Sequence, residues 1–144
     1  MDPPRLALSN CVITYSAWKD LIETCLLTLT AGTNCNFVLH EEGEPRRLSL
    51  DLREQLLRIG QESLANAVRH AGARSIEAQL RFQKRQLQLR ISDDGHGFDM
   101  EKASRLNGHF GLITMRERAK TIGASMVISS KISSGTSIEV TVKV

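Results

Sequence analysis

A predicted helix over residues 50–70 carries four polar side chains whose types and spacing could do chemistry together. An α-helix would bring them to one side; they are Glu62, Asn66, Arg69 and His70. A carboxylate and an amide one helical turn apart can offer oxygen atoms to a hard cation such as Mg²⁺, which keeps water ligands and is often shared with substrate phosphates. On its own, such a stripe is more typical of a solvated helix face, so a metal site needs support from elsewhere in the chain.

The segment DDGHGFDMEKASRLNGHFGL, residues 93–112, provides that support. It contains two pairs of glycines around a short polar stretch: Gly95, Gly97, Gly108 and Gly111. A chain omits side chains in this way where its backbone turns sharply or lies close to another group. A plain Asp-Gly turn explains the first glycine but not the second pair eleven residues later.

Three familiar glycine motifs are excluded by their spacing. A phosphate-binding P-loop needs a Gly-Lys pair, which the sequence lacks, and the dinucleotide motif G-x-G-x-x-G needs glycine where Met100 stands. A calcium loop counted from Asp93 needs glutamate at its twelfth position, which is Ser104.

Hydrophobic patterning defines the elements that must position these residues. Helical spacing predicts helices over about 16–31, 50–70 and 112–122. The apolar stripe of the second helix comprises Leu52, Leu56, Ile59, Ser63 and Ala67. Strands are predicted in CNFVLHEEGEP, SIEAQLRF, QLQLRISD, SMVISSK and TSIEVTVKV. Strands grouped in hairpins with helices between them predict an α+β, two-layer sandwich, in which about three helices cover one face of a mixed β-sheet.

Composition limits the classes of function. Charged residues make up 24% of the 144 residues and the net charge is +3, which does not favour nucleic acid as a partner. No apolar stretch is long enough to span a membrane. The three cysteines, Cys11, Cys25 and Cys35, form no C-x-x-C pair, so reduced thiols in a cytoplasmic protein are expected rather than a zinc site.

Four segments, in this order, resemble the boxes of the GHKL ATPases, the group of sensor histidine kinases, gyrase-type topoisomerases, Hsp90-type chaperones and MutL-type repair proteins. ESLANAVRH (62–70) is similar to the N box and DDGHGFD (93–99) to the D-x-G-x-G box. GHFGLITMRERA (108–119) is similar to the second glycine box and SSGTSIEV (133–140) to the Gly-Thr box. The ordered set covers about residues 50–144 and implies the Bergerat-type ATP-binding fold.

The sequences of the N box and of the motif GL-x-x-MRERA resemble those of one class within this family. This class is the sensor histidine kinases that partner helix-turn-helix response regulators of the LuxR/NarL type. In that class a catalytic ATP-binding domain follows a helical dimerisation domain that carries the phosphoacceptor histidine. The resemblance implies that residues 15–144 form the catalytic domain, with residues 1–14 a linker or irregular segment.

The resemblance also assigns the nucleotide contacts. Asp93 is expected to accept a hydrogen bond from the adenine amino group, which favours ATP over GTP because guanine presents an oxygen there. Further contacts are expected from the glycine boxes, with residues 98–107 as a short lid; they are Gly95, Gly97, Gly108, His109, Phe110, Gly111 and Leu112. Thr136 is expected either near the base or packed beside Asp93.

On the helix, the resemblance makes Asn66 the Mg²⁺ ligand. Glu62 is expected either to activate the nucleophile or to orient Mg²⁺ and its waters. Arg69 and His70 are expected to contact phosphates, although a helix-packing role for His70 is equally compatible with its position. Two arginines of the second glycine box, Arg116 and Arg118, are expected either to neutralise phosphate charge or to pair with Glu117.

Two departures from the pattern affect the functional prediction. None of the four histidines (His40, His70, His96, His109) lies in the acceptor setting of this class, a helical histidine followed by an acid, so the phosphoacceptor is expected on another segment or in trans. Asp94 stands where histidine kinases often carry asparagine, and its charge is expected to weaken ATP binding slightly at low salt.

The sequence therefore predicts the cytoplasmic ATP-binding catalytic domain of a sensor histidine kinase, with ATP and Mg²⁺ as its ligands. Its predicted partners are the dimerisation domain and a response regulator. Two alternatives share the fold: a stand-alone serine kinase of the anti-sigma-factor type, and a degenerate module that binds nucleotide without catalysis.

Overall fold

The computed structural model describes residues 24, 27, 31, 35–105 and 111–144, apart from the side chains of 70 and 103–105. Within these residues the elements are β1 (Asn36–Glu42), α1 (Leu50–Ala65), β2 (Ser75–Phe82), β3 (Gln86–Asp93), α2 (Met100–Arg105), α3 (Leu112–Thr121), β4 (Ser125–Ser130) and β5 (Thr136–Lys143). The helix predicted over about 16–31 lies outside the described residues except for Thr24 and Leu27, which are helical, and Ala31, which is in a turn.

The five strands form one mixed sheet in the order β1-β2-β3-β5-β4. β1 and β2 are parallel, and the other neighbours are antiparallel. Parallel neighbours cannot be joined by a tight turn, which is why α1 lies between β1 and β2 in the chain. The predicted hairpins β2–β3 and β4–β5 are confirmed.

The core lies between one face of the sheet and the helices α1 and α3. Strand residues alternate between buried and accessible positions along β2, β3 and β5, as expected for a sheet covered on one side. The most deeply buried apolar side chains include Leu56, Ile59, Ile76, Leu80, Leu87, Met115 and Val140. The predicted α+β class is confirmed.

Helix α1 begins at a well-defined cap. The Ser49 hydroxyl accepts a hydrogen bond from the Leu52 N–H at 3.2 Å, and Asp51 places a negative charge in the first turn. The predicted apolar stripe is buried from Leu56 onward, but Leu52 is only half-buried. Arg53 takes the inner position and is 2% exposed, with its Nε donating to the Ser49 carbonyl at 3.3 Å. A charged residue at this position could not be recognised as part of the core from the hydrophobic pattern.

The prediction of a continuous α-helix to residue 70 is wrong in its last turn. Residues Asn66–His70 form a π-helical turn, in which the Ala71 N–H donates to the Asn66 carbonyl at 2.9 Å. Isolated π-helical turns occur often at functional sites, since the wider turn rotates the side chains away from α-helical positions. The helical segment ends before Gly72, as predicted.

Helix α2 lies inside the segment 98–107 that the sequence assigned to a short lid, and it was not predicted. It begins at Met100 after an Asp99 carboxylate that accepts from the N–H groups of Glu101 and Lys102, at 2.9 and 3.3 Å. Residues 106–110 lie outside the described residues.

Candidate functional site

A cavity of about 450 Å³, counting its open mouth, lies between the inner face of the sheet and the helices α1 and α3. Half of its lining is apolar side chains: Ala71, Ile91, Phe98, Leu112 and Ile138. The remaining lining residues are Ser63, Asn66, Asp93, Gly97 and Thr136. Five predicted site residues therefore share one cavity: Asn66, Asp93, Gly97, Leu112 and Thr136.

Asp93, the last residue of β3, is the only acidic group in the described lining of this cavity. Its Oδ1 accepts a hydrogen bond from the Gly95 N–H at 2.8 Å. Burial raises the pKa of Asp93; the N–H groups of Gly95 and Thr136 oppose this effect, and the neighbouring Asp94 charge adds to it. A carboxylate in mostly apolar surroundings binds a matching donor strongly, because little water competes for it.

Thr136 begins β5 directly opposite Asp93 in the antiparallel register between β3 and β5. Its side chain lines the cavity and its backbone N–H helps to hold the Asp93 carboxylate, so Thr136 lies beside Asp93. A contact of its hydroxyl with a base remains a prediction.

The polar residues that the sequence placed on one side of the helix are not all brought to the cavity. Asn66 lines the cavity, whereas Arg69 is exposed and does not. The π-helical turn begins at Asn66, so an α-helical wheel does not describe the positions that follow it. His70 ends this turn, and its side chain lies outside the described part of the structure. Contacts of Arg69 and His70 with phosphates remain predictions.

Glu62 lies beside the start of α3 rather than in the lining of the cavity. Its carboxylate is so close to Gly111 that any Cβ there would overlap Oε1. Gly111 also has a positive φ of 66° and occupies the N-cap position of α3. The sequence predicted a close approach at this glycine but not its neighbour. Gly108, His109 and Phe110 lie outside the described residues.

The first glycine pair packs against other parts of the protein backbone. A Cβ at Gly95 would lie 2.6 Å from both the Cβ and the carbonyl oxygen of Ala71, and a Cβ at Gly97 would overlap the Lys131 carbonyl oxygen. These glycines therefore join the end of α1 and the β4–β5 turn to the end of β3. Of the two, only Gly97 also lines the cavity.

The two arginines of α3 contact neither the cavity nor Glu117 in the hydrogen bonds of the described residues. Arg118 donates to Gln55 Oε1 of α1 at 3.1 Å, and Arg116 donates to the Met126 carbonyl at 3.5 Å. Both contacts connect α3 to neighbouring elements, so they stabilise the fold.

Asp94 also has a structural role. Its Oδ1 accepts the N–H groups of Arg74 and Ser75, both at 2.9 Å, which ties the end of β3 to the start of β2. The carboxylate does not line the cavity, although its charge contributes to the raised pKa of Asp93. The expected effect of Asp94 on ATP binding remains a prediction.

We expect Asp94→Ala to lower stability by about 1 kcal/mol at neutral pH, because two backbone N–H groups lose their acceptor at an exposed site. Asp94→Asn should lose less stability, since an amide oxygen can accept both hydrogen bonds.

The stability contribution of Asp94 also depends on pH. The N–H groups of Ser75 and Arg74 lower the pKa of Asp94 below its ordinary value of 3.8. The difference in unfolding free energy between wild type and Asp94→Ala is therefore largest above pH 3.8 and is lost as the pH falls below that value. Urea unfolding at several pH values measures this, and equal stability of the three proteins would contradict it.

Sequence reasoning missed two residues near the cavity. Ser63 lines it with a buried hydroxyl that donates to the Ile59 carbonyl at 2.8 Å. Its position three residues before Asn66 on the same helix could have indicated this. Ser130, which contacts Thr136, lies in a run of polar residues with no informative spacing.

Residues 51–144 match the family of histidine kinase-, DNA gyrase B- and HSP90-like ATPases, and the chain belongs to this family. It therefore carries an ATP-binding domain of the type found in histidine kinases. Among the described residues, no helix is long and apolar enough to cross a membrane.

The relatives that the chain matches include sensor kinases. It is 36% identical over 102 residues to the signal transduction histidine-protein kinase/phosphatase DegS of Bacillus subtilis, covering 70% of this chain and 26% of DegS. It is 42% identical over 89 residues to the sensor protein VraS of Staphylococcus haemolyticus, covering 62% of this chain and 25% of VraS. The chain thus spans about a quarter of the length of these relatives.

Solved structures support the fold assignment. The histidine kinase domain of the blue-light activated histidine kinase from Erythrobacter litoralis EL346 superposes with a TM-score of 0.66 at 17% identity. The match covers 88% of this chain and 59% of that one.

Proposed function

We propose that this chain binds Mg-ATP in the cavity between the sheet, α1 and α3, and that it is the catalytic domain of a two-component sensor histidine kinase. The observation that carries the proposal is the half-buried Asp93 carboxylate in a cavity that it shares with Asn66, Thr136 and apolar side chains of both sheet and helices. An ionised carboxylate only accepts hydrogen bonds, so it fits the adenine amino group and repels the guanine carbonyl oxygen. Such a charge-assisted hydrogen bond contributes on the order of 1.5–3 kcal/mol.

The phosphates would lie towards the start of α3. The first N–H groups of this ten-residue helix have no intrahelical acceptors and favour anions. Gly111 has no side chain, and the Glu62 carboxylate lies against it, so Glu62 would have to move for a phosphate to take that position. The corresponding contacts of Gly108, His109 and Phe110 belong to the same proposal.

Mg²⁺ fits the residues that are present. The described residues contain no group of three or more His, Cys, Asp or Glu side chains that could enclose a metal ion. Mg²⁺ at nucleotide sites is usually held by one or two protein oxygens, most often carboxylates, together with phosphate oxygens and water rather than by an all-protein cage. Asn66 would supply one such oxygen from its side chain, and the bound cation would neutralise phosphate charge.

Phosphoryl transfer requires the protein mainly to position the reactants and to balance charge. In this proposal Asp93 fixes the base, the start of α3 binds the phosphates, and Glu62 either activates the histidine nucleophile or orients Mg²⁺ and its waters. The acceptor histidine would come from a dimerisation domain outside this chain, and a LuxR/NarL-type response regulator would then receive the phosphoryl group. The kinase is proposed to act in the cytoplasm, with residues 15–144 as its catalytic domain.

Isothermal calorimetry with ATP and GTP, each with and without Mg²⁺, tests the proposal. We expect ATP to bind, Mg²⁺ to tighten binding by roughly tenfold, or about 1.4 kcal/mol, and GTP not to bind. Asn66→Ala should lose the Mg²⁺ effect, whereas Gln61→Ala on the same helix should keep it. Transfer of labelled γ-phosphate to a histidine of a dimerisation domain added in trans would then test the kinase role.

Equal binding of ATP and GTP, or no binding of millimolar ATP by the folded protein, would contradict the nucleotide site. ATP binding without transfer to any supplied histidine domain would leave the site intact but contradict the kinase role.

A further inference from the structure

The hydroxyl of Ser130, at the end of β4, connects two sides of the cavity without lining it. Its Oγ accepts the Phe98 N–H at 2.8 Å and lies 2.8 Å from Thr136 Oγ1. The same Oγ lies 3.2 Å from the Gly135 carbonyl oxygen, to which it can donate. Phe98 and Thr136 both line the cavity.

The number of protons restricts how this network can be arranged. A serine hydroxyl has one proton to donate, and the Phe98 N–H already occupies one of its acceptor positions. In one arrangement Thr136 donates to Ser130, which donates to the Gly135 carbonyl. In the other, Ser130 donates to Thr136, whose own proton is then free to point into the cavity.

The position of Thr136 indicates which ligand atom would use that proton. Thr136 lies directly opposite Asp93 in the β3–β5 register, so the two side chains are suited to adjacent atoms of one base. Asp93 accepts from an amino group in the proposed function. The ring nitrogen N1 of adenine is adjacent to that amino group and is a hydrogen-bond acceptor.

We propose that Ser130 is a positioning residue for base recognition: by donating to Thr136, it directs the Thr136 hydroxyl proton towards N1 of adenine. The inference rests on the proposed ATP site and adds a second determinant of base recognition to Asp93. Without nucleotide, the arrangement in which Ser130 donates to the Gly135 carbonyl is favoured, because it gives that carbonyl and both hydroxyl protons a hydrogen-bond partner. ATP binding then exchanges that hydrogen bond for one between Thr136 and the base, either direct or through water.

The test compares ATP with 1-deaza-ATP, in which a C–H group replaces N1 and the amino group is retained. Both dissociation constants are measured by calorimetry for wild type, Ser130→Ala and Ser129→Ala. We expect Ser130→Ala to weaken ATP binding by about tenfold relative to wild type, which corresponds to about 1.4 kcal/mol, and to leave 1-deaza-ATP binding nearly unchanged. Ser129, the exposed neighbour on the same strand, is the matched control and should behave like wild type with both nucleotides.

The comparison separates positioning from general structural support. If Ser130 acted only as the acceptor of the Phe98 N–H, its loss would loosen the cavity for both nucleotides equally, so equal losses for ATP and 1-deaza-ATP would overturn the inference. An unchanged affinity for ATP would also overturn it. Ser130→Cys, which is similar in size but a weak hydrogen-bonding group, should reproduce the selective loss if the alanine variant does not fold. Failure of wild type to bind ATP would overturn the proposed function and this inference together, whereas the other outcomes bear on Ser130 alone.

Discussion

Asp93→Asn is expected to weaken ATP binding by roughly a hundredfold while leaving the protein at least as stable as wild type. The asparagine amide presents N–H donors to a cavity in which adenine also presents donors. Removing the charged contact should cost on the order of 3 kcal/mol, which raises the dissociation constant by roughly a hundredfold. The amide oxygen can still accept the Gly95 N–H, so the local turn is preserved. Calorimetry and thermal melting of the same preparations measure both effects.

The stability part of this prediction depends on pH in a defined direction. Burial raises the pKa of Asp93 above the ordinary value of 3.8, so the ionised side chain disfavours the folded state. The stability advantage of Asp93→Asn should be full at neutral pH and should disappear as the pH falls through the raised pKa towards 3.8. An Asp93→Asn protein that melts well below wild type at neutral pH, or one that binds ATP normally, would contradict the assignment of Asp93 as a binding group.

Gly97→Ala is expected to destabilise the protein far more than Gly123→Ala. Both glycines have a positive φ, 64° at Gly97 and 66° at Gly123, so both substitutions carry a backbone penalty of about 1–2 kcal/mol. At Gly97 the new methyl group would also overlap the Lys131 carbonyl oxygen, whereas nothing lies within 4 Å at Gly123. We expect a total cost of roughly 2–5 kcal/mol at Gly97, since overpacking adds about 1–3 kcal/mol to the backbone penalty.

Thermal melting followed by circular dichroism measures the difference between these two variants. We expect a decrease in Tm of roughly 10 °C or more for Gly97→Ala and of only a few degrees for Gly123→Ala. Gly123→Ala should also bind ATP like wild type, because it lies between α3 and β4 and away from the cavity. Similar melting temperatures for both variants would contradict this prediction, because they would mean that the β4–β5 turn can move to accommodate the methyl group at residue 97.

Alternation of apolar and polar residues was sufficient to predict the strands, because each is covered on one face only. Ile76, Ala78 and Leu80 show the pattern directly, and the structure buries all three. The central helix was predicted for a related reason, from the stripe that includes Leu56 and Ile59. These elements depend on local periodicity, which a single sequence contains.

Other features depend on contacts between distant segments and could not be predicted in this way. Arg53 is buried although its type predicts exposure, and Asp94 holds N–H groups of a strand some twenty residues earlier in the chain. The order of the motifs identified Asp93 and Asn66 as cavity residues. The β4–β5 hairpin was predicted, but the register that pairs Ser130 with Thr136 was not, because several polar residues around the turn allow more than one register.

The pairing of β3 with β5 has a consequence for the order in which the molecule assembles. Asp93 and Thr136 face each other across this pair, but the lid segment, α3 and β4 separate them in the chain. Hairpins such as β2–β3 close short loops and form early, whereas the pairing of β3 with β5 must wait until α3 and β4 have been synthesised. A nascent chain that ends at Gly135 would contain every glycine of the nucleotide boxes, yet it would lack Thr136 and Ile138, which line the cavity. ATP can therefore stabilise only a chain that already includes β5 and cannot assist earlier folding steps.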